Sequence, residues 1–126
     1  MKSKYLLILF SVAGLMLGAQ SALAASAAVR EMAGIMMHLE HYPSDAEKVK
    51  LRAIAADKGN TEDERVIATA IMDIKHHVAP RDVDKLKKVI DDASAPAEVH
   101  SLASIVLNIA HRPTAADKEE LSKMMQ

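Results

Sequence analysis

Apolar and polar positions follow the same order three times along the chain after residue 24. In each unit of 35 residues, a first segment carries apolar residues at helical spacing and leaves little polar face. A second segment carries one apolar stripe opposite charged residues. The first pattern predicts a largely buried helix, and the second predicts an amphipathic helix. The predicted first helices span 27–42, 62–77 and 97–111, and the second helices span 45–57, 80–92 and 115–125.

The three units align without gaps, and the coinciding positions are mostly small or apolar. They include Ala33/Ala68/Ala103, Leu51/Leu86/Leu121, Met37/Met72/Leu107, Leu39/Ile74/Ile109 and His41/His76/His111. A fixed period of this length is typical of repeat architectures, in which a single unit cannot bury its apolar face alone. We therefore expect an all-α protein of three helix–turn–helix repeats and six helices. The predicted repeats cover approximately 25–59, 60–94 and 95–126.

Residues with special roles at helix ends agree with these boundaries. A hydroxyl residue followed three positions later by an acidic residue predicts a capping box at three helix starts. These pairs are Ser44/Glu47 and Thr61/Glu64, with Thr114/Asp117 as a near relative of the motif. We further expect Ser94 to cap the fifth helix, Gly59-Asn60 to supply a left-handed turn, and the prolines to lie in turns. These short turns predict that the two helices of each unit are antiparallel neighbours. The turn prolines are Pro43, Pro80 and Pro113.

The length and helix–turn–helix layout of the repeat resemble those of tetratricopeptide-like repeats across residues 25–126. The resemblance is one of architecture, since that family's Trp, Tyr and Gly positions have no counterpart here. It implies a short right-handed superhelix whose first helices line a concave, partner-binding face. A compact bundle of the same helices is the alternative.

The first 24 residues have the features of a cleaved secretory signal peptide. Lys2 and Lys4 precede an uncharged stretch over 6–18, and Ala22-Leu23-Ala24 supplies a small-x-small cleavage pattern. We therefore predict a bacterial periplasmic or secreted protein whose mature domain is 25–126. Once the leader is cleaved, we expect no membrane association.

Composition narrows the possible functions. The chain has no Cys, which excludes disulfides and thiolate metal sites, and 16 basic against 17 acidic residues, which argues against nucleic-acid binding. It also lacks a nucleophile elbow, a phosphate-binding glycine loop and the H-E-x-x-H motif. We therefore expect no enzymatic activity.

The repeated histidine admits more than one interpretation. At the last turn of each first helix, a histidine can cap free carbonyls and meet the negative end of the helix dipole. A polar residue three positions earlier would share its helix face, and such pairs are plausible ligands for copper or zinc. A response to external pH through six histidines is a third possibility. The candidate partner-binding or metal-binding residues are Met37, His38, His41, Asp73, His76, Asn108 and His111.

From the sequence we favour a protein-interaction or scaffold module, with a periplasmic copper or zinc binder as the alternative. Neighbouring units are expected to place their histidines 8–10 Å apart, roughly one helix spacing, so that one ion would not easily reach all three. The first helix is rich in methionine and very apolar, which suggests a homodimer or an unknown protein partner.

Overall fold

The computed structural model describes residues 24–126, and the predicted signal peptide lies outside these residues except for Ala24. Six helices make up the described chain, as the hydrophobic pattern predicts, and the all-α class is confirmed. They are α1 (Ala27–Met37), α2 (Asp45–Ala56), α3 (Glu62–Met72), α4 (Pro80–Asp91), α5 (Ala97–Leu107) and α6 (Ala115–Met124). None of them is both long enough and apolar enough to cross a membrane.

The first helix of each unit is shorter than predicted, and its histidine lies beyond it. α1 ends at Met37, and the N–H of His38 already bonds to the Ile35 carbonyl, three residues back. The next residue, Leu39, is almost completely buried, so the chain turns toward the core instead of continuing the helix. The predicted end at residue 42 is therefore wrong. The equivalent helices α3 and α5 end in the same way.

The three predicted capping boxes are present, at the starts of α2, α3 and α6. The prediction for Ser94 is wrong, because Pro96 occupies the cap position of α5 and Ser94 instead donates to Asp92. Gly59 has no positive φ, and Pro80 is the first residue of α4 instead of a turn residue. In each case, backbone and side-chain hydrogen bonds nearby select a different local geometry from the one that composition alone suggests.

The helices form a closed compact bundle with approximate threefold symmetry. Helices α1, α3 and α5 pack against one another, and each second helix packs mainly on the first helix of the following unit. Thus α2 lies on α3, α4 lies on α5, and the last helix α6 returns to α1. The contact between α6 and α1 joins the last unit to the first. The protein therefore adopts the compact bundle and not the open superhelix. The helix pairing within units is correspondingly weaker than predicted.

Equivalent positions of the three units build one core around this axis. Each of these positions is buried in all three copies, as expected for a fold whose stability comes chiefly from apolar burial. They include Met32/Ile67/Leu102, Ala33/Ala68/Ala103, Met36/Ile71/Val106 and Leu51/Leu86/Leu121. The small residue at 33, 68 and 103 allows the inner helices to approach closely. Met32 and Met36 are fully buried, so the apolar face that suggested a dimer is directed into the core.

Candidate metal centre

The three repeated histidines meet at one end of the pseudo-threefold axis. Each stands at the centre of a tight turn in which the following residue's N–H bonds to the preceding residue's carbonyl. His41, His76 and His111 have φ of 69°, 67° and 69°, and they are the residues other than glycine in 24–126 with positive φ. This form of γ-turn is rare and strained.

Backbone hydrogen bonds link the three turns into a closed ring. The N–H of His76 donates to the carbonyl of His41 over 2.6 Å, and the N–H of His111 donates to the carbonyl of His76 over 2.7 Å. The N–H of His41 donates to the carbonyl of His111 over 2.6 Å, completing the ring. Every histidine therefore uses both of its main-chain groups within the ring, and the ring exists only when all three units are in place.

A buried residue precedes each turn, and a buried or half-buried residue follows it. In the first unit, Leu39 is buried before His41, and Pro43 is buried after it. Ser44 then fixes the start of α2 through its capping box. Because these anchors tolerate little movement, they can maintain a φ that an isolated histidine peptide would seldom adopt.

The imidazole rings converge as closely as the backbone. The Nδ1 atoms are 3.1 Å apart between His41 and His76, 3.2 Å between His41 and His111, and 3.0 Å between His76 and His111. The rings stand edge to face, with centroids 4.9–5.3 Å apart. In the described chain, these three residues are the group of His, Cys, Asp and Glu whose donor atoms are close enough for one metal ion. The expectation of separations of a helix spacing is wrong, because the closed ring directs the equivalent side chains to one axis.

Hydrogen bonding alone does not satisfy these three contacts. In a neutral imidazole, Nδ1 either carries a proton or presents a lone pair. With three mutually close atoms and two such states, at least one contact must join two lone pairs or two N–H groups. A cation on the axis removes this conflict, because it accepts a lone pair from all three nitrogens.

The surroundings of His111 disfavour its protonation. The pKa of His111 is lowered, first by loss of hydration and then by the positive charges of His76, His41, His77 and Arg112. Neutral imidazole is the form that binds metal ions. His41 is half-buried, whereas His76 and His111 are exposed, so the cluster opens to solvent.

The other candidate residues lie outside the cluster. His38, Asp73 and Asn108 are the C-caps of α1, α3 and α5. The Nδ1 atom of His38 contacts the Gly34 carbonyl, Asn108 donates to the Ser104 carbonyl, and Asp73 forms an ion pair with Arg81 at 3.1 Å. Met37 packs against the core. The pairs expected along the helix face therefore do not form, since the helix ends before the second member of each pair.

Two further histidines can be placed relative to the cluster. His77 stacks edge to face on His111 with centroids 5.4 Å apart, but its Nδ1 contacts the Ile109 carbonyl at 3.2 Å. His100 is engaged elsewhere, with its Nε2 2.6 Å from the Asp92 carbonyl. Neither belongs to the group of converging donors.

No family model matches the chain, and comparison with curated proteins and with solved structures finds no similar one.

Proposed function

We propose that this protein binds one divalent transition-metal ion through the Nδ1 atoms of His41, His76 and His111. The observation that carries the proposal is the near-equilateral triangle of these atoms, with sides of 3.0–3.2 Å. Zn–N bonds of about 2.0–2.1 Å in a tetrahedral site place two ligand nitrogens about 3.3 Å apart. Small adjustments of the three side chains are therefore enough to take up the ion.

The geometry favours Zn(II) among the metals that imidazole binds. A square-planar Cu(II) site would require one pair of ligand nitrogens on opposite sides of the ion, about 4 Å apart. The three nearly equal distances instead match one face of a tetrahedron. Met37, whose sulfur would favour Cu(I), packs against the core.

The closed bundle supports a metal-binding function over the scaffold that the sequence first suggested. A scaffold would use a concave surface lined by the first helices of the units. Here α1, α3 and α5 pack on one another, and their repeated apolar residues fill the core. Within residues 24–126, the histidine cluster is a site near the surface to which all three units contribute an equivalent residue.

Titration calorimetry with ZnCl₂ tests the proposal on protein purified without a polyhistidine tag. We expect one Zn(II) per chain with a Kd of about 1 μM or below, equivalent to roughly −8 kcal/mol. His76→Ala should weaken binding by about tenfold or more, because two imidazoles remain. His100→Ala is the matched control, since it removes an imidazole outside the cluster, and its affinity should equal that of the wild type.

Two results would contradict the proposal. One is the absence of stoichiometric binding in the wild type. The other is equal loss of affinity in the His76→Ala and His100→Ala variants, which would indicate dispersed surface binding. Circular dichroism on each variant verifies that the helical bundle is intact.

A further inference from the structure

The metal site has room for a ligand that the protein itself does not supply. Three neutral imidazoles leave a tetrahedral ion with one open position and its full double positive charge. No fourth His, Cys, Asp or Glu donor of residues 24–126 joins the group. His76 and His111 are exposed, so a ligand from solvent can reach the cluster.

A cleft of about 370 Å³ adjoins the histidine cluster on one side. It is lined by His76 together with Tyr42, Lys48 and Lys75. Two ammonium groups and a phenol therefore stand beside one of the proposed ligands, and the cleft holds no carboxylate among its lining residues. Its volume lies near the lower end of the range that small-molecule sites occupy.

The residues that line this cleft are not all repeated at the other two equivalent boundaries between units. Tyr42, which follows His41, is replaced by His77 and Arg112 in the other two units, and Lys48 is replaced by Val83 and Lys118. His77 is held against the third unit by its contact with the Ile109 carbonyl. The pseudo-threefold symmetry is thus broken beside the metal site, and the broken position is the one that gathers a phenol and two lysines.

We infer that this cleft and the open metal position together bind a small molecule bearing an oxyanion group. One oxygen would occupy the fourth position of the ion. Lys48 and Lys75 would donate charge-assisted hydrogen bonds to the remaining anionic oxygens of the ligand. Tyr42 supplies a phenol donor and an aromatic wall. This inference rests on the proposed metal binding, and it adds to it a ligand class and a direction of approach.

Co(II), which absorbs visible light in tetrahedral sites, provides the readout. The protein is first titrated with CoCl₂ to one equivalent, and then with sodium acetate or with inorganic phosphate at constant ionic strength. We expect the Co(II) absorption to change with a saturable dependence on at least one of the two anions. The preferred anion shows whether the cleft selects a carboxylate or a phosphate.

The double variant Lys48→Gln/Lys75→Gln should weaken anion binding by about tenfold or more while it leaves Co(II) affinity within about twofold. Lys118→Gln is the matched control, because Lys118 is the counterpart of Lys48 in the third unit and does not line the cleft. A Co(II) spectrum that is insensitive to both anions would overturn this inference and leave metal binding in place. Equal weakening in Lys118→Gln would also overturn it. Failure to bind Co(II) would overturn both proposals.

Discussion

At the scale of the residue, the histidine cluster combines a strained backbone with a converging donor set. A positive φ costs a side-chain-bearing residue about 1–2 kcal/mol, and three copies of this cost occur at one end of the axis. Strain of this kind persists only where the surrounding structure enforces it. Here the buried residue before each turn, the buried or half-buried residue after it and the ring of backbone hydrogen bonds enforce it.

Substitutions at His76 separate backbone strain from the loss of the imidazole. His76→Ala and His76→Gly both remove the imidazole, but glycine adopts positive φ without steric cost. We expect His76→Gly to be more stable than His76→Ala by about 1 kcal/mol in urea unfolding with EDTA present. At Asn108, where φ is −99°, we expect the reverse order, with Asn108→Ala more stable than Asn108→Gly. The same order at both positions would contradict the assignment of strain to the turn.

Asp63 and Asp92 form an interacting pair of side chains outside the histidine cluster. The pKa of Asp63 is raised to about 6, first by loss of hydration and then by a hydrogen bond with Asp92, whose own pKa is lowered to about 2. Protonated Asp63 therefore favours the folded state. Its contribution is complete below the ordinary value of 3.8 and is lost as the pH rises through about 6.

Asp63→Asn should consequently raise the melting temperature at pH 7.5, because the amide keeps a donor for Asp92 without adding negative charge. At pH 3.5, below the ordinary pKa of 3.8, Asp63 is mostly protonated in both the folded and the unfolded chain, and the difference from the wild type should nearly vanish. Asp84→Asn, at an exposed position of α4, serves as the control. A variant that gains no stability over this control at pH 7.5 would show that the two carboxyl groups do not share a proton.

At the scale of the element, the helices differ in how well they begin. Helices α2, α3 and α6 start with complete capping boxes, but α4 starts with Ala79, which has no hydroxyl. The acidic member of that box is nevertheless present as Asp82, which is 2% exposed and has a buried Oδ2 without a hydrogen-bond partner. The pKa of Asp82 is raised, first by burial and then by the nearby carboxylate of Asp73.

Ala79→Ser should give α4 the side-chain cap that it lacks and stabilise the protein by up to about 1 kcal/mol. The introduced hydroxyl can accept a hydrogen bond from the Asp82 N–H, which otherwise donates to the Ala79 carbonyl at 2.9 Å. Pro80 is compatible with the first helical position. Ser44→Ala, which removes an existing box, should destabilise by a similar amount. Urea unfolding measures both changes, and an unchanged midpoint for Ala79→Ser would refute the missing-cap explanation.

At the scale of the whole molecule, the contact between α6 and α1 closes the bundle and brings the three repeated histidines together at one site. Six helices, the three capping boxes and the core positions could be predicted because they depend on local periodicity and on hydrogen bonds between near neighbours. The angle between successive units could not, since it depends on how Ala33, Ala68 and Ala103 let the inner helices approach. That angle decides whether equivalent residues spread along a superhelix or meet at one axis.

The sequence reveals that a histidine recurs in each unit more readily than it reveals which residues join it in the site. The sequence singled out His41, His76 and His111, but it paired them with His38, Asp73 and Asn108 under the assumption of a continuing helix. The burial of Leu39, Ile74 and Ile109 ends that helix and turns the chain inward. A hydrophobic residue two positions before each histidine was the available signal, and periodicity alone assigned it to the helix.

The most direct test of this account is long-range ¹H–¹⁵N NMR of the six histidine side chains during titration with Zn(II). The protein supplies its own controls, because His38, His77 and His100 lie outside the converging donors. We predict that the Nδ1 resonances of His41, His76 and His111 change together, and that this change is complete at one Zn(II) per chain. Independent changes, saturation at three ions per chain, or equal changes at the other three histidines would contradict a single metal site built by all three repeats.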